Sequence, residues 1–133
     1  MSELRSRGQI AAEITNGIVK LFREYYGRGP VKAKTYIFDN YSLTVLEDTL
    51  TTAETTLVKS GREEMVRTFR LSFQTEMAAA FHSVVENATG RRVVTYQSQI
   101  AFHPDSCFEV FVLDGPPEVA DDVQADAAAP AAG

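Results

Sequence analysis

From Gly8 to Tyr26 the apolar residues Ile10, Ile14, Ile18, Leu21 and Tyr25 recur at spacings of three and four, with Glu13, Lys20, Arg23 and Glu24 mostly on the remaining surface. That period places one apolar stripe on a helix. Gly27, Gly29 and Pro30 end it, because glycine accepts the left-handed position after a helix and proline cannot extend one. At Val31 the period changes to two. Val31, Ala33, Thr35 and Ile37 share one face, and Lys32, Lys34, Tyr36 and Phe38 share the other, as in a strand. Asp39-Asn40 supplies turn chemistry and Tyr41 to Leu46 returns to β-type composition, so the pair reads as an antiparallel hairpin.

A second helical stretch opens at Thr51-Thr52-Ala53-Glu54, which has the form of a capping box. Leu57, Gly61, Met65, Phe69, Phe73, Met77, Phe81 with Ala80, Val84 and Ala88 then repeat at three or four until Thr89-Gly90. Unbroken from 53 to 89, such a helix would be about 55 Å long at ~1.5 Å per residue. A domain of this size has a radius of gyration of only about 13 Å. Either the helix breaks at Ser60-Gly61 or one end leaves its own core and packs on something else.

After Gly90 the strand period resumes. Val94, Tyr96, Ser98, Ile100 and Phe102 fall on one face, with Val93, Thr95, Gln97, Gln99 and Ala101 on the other. His103-Pro104-Asp105-Ser106 forms a turn and Cys107 to Leu113 a last strand. The expected fold is therefore α+β in two layers, in the order α-β-β-α-β-β. A four-stranded, mainly antiparallel sheet carries two helices, the second of them long. Apolar residues on both faces of 31–38 and 107–113 call for at least partial cover on the second face. Residues 1–115 form one domain. Residues 116–133, acidic and rich in Ala and Pro, have little to bury and are expected to be disordered.

Charge is concentrated in that tail. The chain of 133 residues carries 13 Lys+Arg against 18 Asp+Glu, a net charge of −5. Glu118, Asp121, Asp122 and Asp126 account for most of it, leaving the body nearly neutral. A near-neutral body gives no basic footprint, so no nucleic-acid partner is expected. No apolar run reaches the roughly 18 residues of a membrane span, which excludes direct membrane insertion through a helix. A single cysteine, Cys107, fits a reducing compartment, and the first residues lack a secretory pattern, so the expected location is cytoplasmic.

Several strings occur together and in order: Ile18-Val19-Lys20-Leu21-Phe22-Arg23-Glu24-Tyr25-Tyr26-Gly27-Arg28-Gly29-Pro30, Lys32-Ala33-Lys34-Thr35-Tyr36, Leu50-Thr51-Thr52-Ala53-Glu54, Gly61-Arg62-Glu63-Glu64, Thr89-Gly90-Arg91-Arg92-Val93-Val94 and Glu109-Val110-Phe111-Val112-Leu113-Asp114. In these the chain resembles the MpsC-like family, a domain of unknown function, over residues 9–114. The family takes its name from a proposed sodium-translocating, membrane-potential-generating system. The resemblance implies a small soluble bacterial protein that is an accessory to a membrane complex handling cations or bicarbonate. It supplies no catalytic residues.

Candidate chemistry is sparse. Gly27-Arg28-Gly29-Pro30 could form an anion-binding nest closed by Arg28, with Lys32, Lys34 and one of Arg91 or Arg92 nearby, which would make the chain a small-anion or metabolite sensor. A helix stop followed by a strand start explains the same glycines without a ligand. Arg91 and Arg92 face opposite ways on an incipient strand and also suit the negative end of the preceding helix. His103, Asp105 and Cys107 are too few to make a closed zinc site, so no metal and no other cofactor is expected. No nucleophile elbow, metalloprotease motif or dinucleotide fingerprint occurs. Tyr25, Tyr26, Tyr36, Phe38, Tyr41 and Tyr96 suit either a ligand pocket or packing between layers.

The long stripe exceeds what one small sheet covers. Leu57, Gly61, Met65, Phe69 and Phe73 are therefore the expected contact of a homodimer, and the family resemblance implies a membrane transport complex as a further partner. The competing arrangement is a break at Ser60-Gly61 that folds the first turns back on a monomeric core.

Overall fold

Three helices and four strands follow in the order α1 (Arg7–Tyr26), β1 (Lys32–Phe38), β2 (Tyr41–Glu47), α2 (Thr52–Lys59), α3 (Glu63–Thr89), β3 (Val93–Phe102) and β4 (Asp105–Leu113). The computed structural model describes residues 4–120. The strands form one antiparallel sheet in the order β1-β2-β4-β3, so each hairpin occupies one half and β2 meets β4 at the centre. The α+β expectation holds, with three helices in place of two.

Local chemistry explains the helix boundaries. Ser6 caps α1 through a capping box with Gln9, and Thr51 caps α2 through one with Glu54. Such caps satisfy backbone donors that a helix start leaves unpaired, at about 1 kcal/mol each. Gly27 ends α1 and Gly90 ends α3, both in the left-handed region. The long stripe breaks at Ser60-Gly61, where Gly61 adopts φ +81. Arg62 N–H reaches back to the Leu57 carbonyl and α3 starts afresh at Glu63. A residue with a Cβ rarely takes that backbone conformation, so the glycine in the apolar repeat marks a corner rather than a close helix contact.

The main core joins Ile10, Ile14, Ile18 and Phe22 of α1 to Met77, Phe81, Val85 and Ala88 of α3. Below them lie Ile37, Leu46, Cys107, Phe111 and Leu113 of the sheet. The α1 stripe thus runs on through Phe22 rather than Tyr25, which is exposed. Helices α1 and α3 approach closely at Gly17, where an added Cβ would lie 2.6 Å from Val84 Cγ1. A smaller cluster of Leu50, Val66 and Phe102, flanked by Leu57, Val58 and Ile100, anchors α2.

Two faces differ from the sequence pattern. A bulge between Val93 and Thr95 on β3 brings Val93 to the core and turns Val94 out, 61% exposed, because one extra residue inverts the alternation. In α3 the buried positions are Val66, Arg70, Met77, Phe81, Val85, Ala88 and Thr89, so the covered stripe in its first turns is shifted one residue from Met65 and Phe69. The chain after the last strand stays on the body as far as it is described. Pro117 is buried, Val119 packs on the main core and Ala120 N–H meets the Arg5 carbonyl. The rest of the expected disordered segment, from residue 121, lies outside the described residues.

Candidate functional site

Between α3 and the inner face of β3–β4 lies a group of buried charges. Arg70 replaces an apolar residue on the covered side of α3, and its guanidinium binds Glu54 in fork geometry, through Nε to Oε2 and Nη2 to Oε1, both at 2.7 Å. Nη2 also donates to the Thr49 carbonyl at 3.0 Å. Both side chains are 6% exposed. Burial opposes charge on each. Their mutual hydrogen bonds prevail, lowering the Glu54 carboxyl below its ordinary value and raising the Arg70 guanidinium. Glu54 therefore has two tasks, since Oε1 also accepts from Thr51 N–H in the α2 cap. Asp105 fastens the same corner, accepting from Thr49 N–H and Oγ1 on one oxygen and Leu50 N–H on the other.

Glu109 on β4 is the second buried acid, 2% exposed. It accepts from Tyr96 Oη at 2.5 Å and Ser98 Oγ at 2.9 Å, both on β3. Both donors are neutral. Burial outweighs them and pushes the carboxyl up to about 7. The same burial raises the Tyr96 and Tyr26 phenols, and it pushes the Cys107 thiol up to about 12.

Aromatic rings surround this acid. Tyr96 stacks on Phe111 at 4.7 Å and meets Phe81 edge-on at 6.0 Å. Phe81 stacks on Phe22 at 6.0 Å, and Phe22 leans on Tyr26 at 5.3 Å. The Arg70 guanidinium lies over the Tyr26 ring at 4.1 Å. These groups enclose a cavity of about 170 Å³. Phe22, Tyr26, Met77, Phe81 and Ile100 supply apolar wall, and Arg70, Tyr96, Ser98, Cys107 and Glu109 supply polar wall. The more exposed lining residues Arg67, Leu71, Gln74 and Gln99 mark its rim.

Of the residues singled out from sequence, Tyr26, Tyr96 and Cys107 line this cavity, and the basic candidates lie elsewhere. Arg28 donates to the carbonyls of Leu50 at 2.6 Å, Asp48 at 2.8 Å and Gly29 at 3.3 Å, tying the end of α1 to the start of α2. Gly29 sits against the Arg23 side chain. Lys32 and Lys34 project from the outer side of β1, with Lys34 Nζ 5.1 Å from the Tyr36 ring centroid. Arg91 donates to the Pro116 carbonyl, and Arg92 N–H to Asp114. In the register Lys32 pairs with Glu47, while Val93 pairs with Leu113, whose N–H meets Asn40. Arg28 and the Arg91-Arg92 pair therefore occupy opposite ends of the sheet, about 20 Å apart at ~3.3 Å per residue, and are not brought together.

The His103, Asp105 and Cys107 trio does not converge either. His103 pairs with Glu63 at 2.7 Å, Asp105 serves Thr49 and Leu50, and Cys107 is buried. Among the described residues no group of three or more His, Cys, Asp or Glu side chains could hold a metal ion.

The expected dimer contact is divided by the corner at Gly61. Leu57 packs on the smaller core and Gly61 is in the turn, whereas Met65 (54%) and Phe69 (51%) are exposed. Phe69 and Tyr25 both rest on Phe73, forming a continuous aromatic ridge.

The outer side of the sheet was expected to be at least partly covered. Among the described residues no helix packs on it, because α1 and α3 both contact the core side. Register lines up Tyr36, Leu43 and Val110 in one row across β1, β2 and β4, Phe38, Tyr41 and Val112 in another, and sets Val45 beside Phe108. Tyr36, Phe38, Tyr41 and Phe108 are exposed by 36–45%. Three strands by six residues give a footprint of about 14 by 20 Å. That is comparable to the smaller of the leading apolar patches on typical monomers, which run to about 300–600 Å² and are often functional.

Among the described residues, a two-layer α+β body with an apolar sheet face that no helix covers, and with no helix long and apolar enough to cross a membrane, defines the class. The chain belongs to the family described as "Na+-translocating membrane potential-generating system (MpsC)", which it matches over residues 6–115. It is similar to the "Uncharacterized protein YbcI" of Bacillus subtilis (strain 168), with 28% identity over 109 residues that span 70% of this chain and 88% of the relative. No solved structure matches it.

Proposed function

We propose that the protein is a non-enzymatic accessory subunit that docks on a protein component of a membrane ion or bicarbonate transport system, from the cytoplasmic side. The observation that carries this reading is the uncovered sheet face centred on Leu43, Val45, Phe108 and Val110. Its footprint, about 300 Å², is smaller than the ~800 Å² per partner of a standard interface, so it forms the dry centre of a contact. Lys32, Lys34, Glu47 and Gln97 supply a polar rim. The family description, which names a membrane system, supports the choice of partner.

Cosedimentation with membrane vesicles from the producing cells tests it. The chain binds saturably, protease treatment of the vesicles abolishes binding, and Phe108→Lys weakens it at least tenfold without loss of folding. A chain that stays in the supernatant, or a Phe108→Lys variant that binds equally, overturns the reading.

The exposed ridge of Met65, Phe69 and Tyr25 favours a second copy of the chain as the occupant of α3. Light scattering at micromolar concentration then gives twice the chain mass, and Phe69→Glu halves it while leaving the melting temperature nearly unchanged. A monomeric parent contradicts the homodimer.

A further inference from the structure

The cavity beneath α3 is not used by the docking function. Its charge inventory is uneven. Arg70 is hydrogen-bonded to Glu54 and reaches Glu109 only through the field of its charge, and Arg67, on the rim, pairs with Glu64 at 3.2 Å. Glu109 alone among the charged lining residues has only neutral hydrogen-bond donors. A carboxylate offers about four lone-pair positions, and Tyr96 and Ser98 fill two of them. Among the described residues no other hydrogen bond reaches Glu109, which lines the cavity. A buried carboxylate is stable when a positive partner compensates it.

The walls fit such a partner. Tyr26, Phe22, Phe81 and Tyr96 form a chain of touching rings beside the acid. Ring faces attract cations, and aromatic walls combined with a carboxylate recognise organic ammonium groups. This wall already holds one cation on a ring, since Arg70 lies over Tyr26. The volume sets the size of the guest. A dry cavity of about 150 Å³ accepts a benzene-sized molecule, and this one is about 170 Å³. Phe22, Met77, Phe81 and Ile100 suit an apolar body, and a ligand entering between Leu71, Gln74 and Gln99 would meet Glu109 on the inner wall.

We propose that the cavity between α3 and β3–β4 binds a compact organic ammonium ion of roughly six to eight heavy atoms. Its charged head pairs with Glu109 and its apolar part lies against the Phe22–Phe81–Met77 wall. Ligand binding of this kind would be a second property of the protein, separate from docking through the outer sheet face.

The methionines provide the readout. Met77 lines the cavity and is 2% exposed, whereas Met65 is on the outer surface of α3. The full chain, labelled with ¹³C at the methionine methyl groups, is titrated at pH 7.5 with benzylammonium and with choline. Benzyl alcohol and benzoate serve as neutral and anionic counterparts. At least one of the two ammonium ions moves the Met77 methyl resonance saturably and leaves Met65 in place. Glu109→Gln weakens that binding at least tenfold, and the neutral and anionic counterparts bind at least tenfold less tightly. Gln74→Phe, which blocks the rim without touching the core, abolishes the Met77 response and keeps the test decisive if Glu109→Gln folds poorly. An unmoved Met77 resonance with both ions at 50-fold excess or more overturns the proposal. So does equal binding of benzyl alcohol, or an unchanged response in the Gln74→Phe variant.

Discussion

Replacing Glu109 with glutamine tests the electrostatics of the interior. The groups facing Glu109 are Tyr96 and Ser98 from β3, Arg70 from α3 and Tyr26 from α1, with Cys107 on its own strand. Burial is the dominant influence, moving the carboxyl from 4.5 to about 7. Below pH 4.5 both the folded and unfolded chains hold this proton, and stability is unaffected. Between 4.5 and 7 the unfolded chain releases it while the folded chain retains it, so stability falls as pH rises. Above 7 the cost is complete. At ~1.4 kcal/mol per tenfold, that interval amounts to about 3 kcal/mol. Glutamine keeps an acceptor for Tyr96 and Ser98 and cannot ionise. Urea unfolding of parent and variant from pH 4.5 to 8.5 isolates the effect, because other titrating groups cancel in the difference. The variant gains about 3 kcal/mol relative to the parent across that range, most of it before pH 7.5. A difference that does not vary with pH, or that moves against the variant as pH rises, refutes the reasoning.

Arg70→Met strands the Glu54 carboxylate in the interior and costs about 3–5 kcal/mol in urea unfolding. Adding Glu54→Leu recovers part of that loss, and a double variant no more stable than the single one contradicts the pairing. The Glu54 carboxyl is held low, so the stability it contributes is present at neutral pH and is lost as pH falls below its ordinary value of 4.5. Gly17→Ala drives a methyl into Val84 Cγ1 and loses about 1–3 kcal/mol to overpacking, against a helix-propensity gain of about 1. Val84→Ala in the same chain restores stability. A Gly17→Ala variant more stable than the parent would show that α1 and α3 do not approach so closely.

Much of the fold is legible in local chemistry. Helix ends at Gly27 and Gly90, the capping box at Thr51, the period-two run of β1 and the strand composition of β4 follow from residue type and spacing. The corner at Gly61 is ambiguous by spacing alone, since a glycine in an apolar repeat suits either a turn or a close helix contact. The bulge beyond Val93 leaves no mark in composition, and it inverts the facing of Val94. The polar cavity has a fainter signature. Glu109 occupies the inward parity between Cys107 and Phe111, and Arg70 follows Val66 by four on the covered stripe. A charge at a core position is that signal, but the pairing of Arg70 with Glu54, sixteen residues away, is set by tertiary packing. The cations of the Gly-Arg-Gly-Pro loop and of Arg91-Arg92 are close to turns in the chain, and only the sheet register shows that those turns lie at opposite ends.

Photocrosslinking from the outer sheet face tests the docking account most directly. A photoreactive residue at Val110 is irradiated in intact producing cells, with Met65 as the comparison position on α3. The account predicts an adduct of residue 110 with an integral membrane protein, absent when Phe108→Lys is combined with it, while residue 65 joins to a second copy of the chain. An adduct at 110 that contains only another copy of this chain, or no adduct there at all, would contradict it.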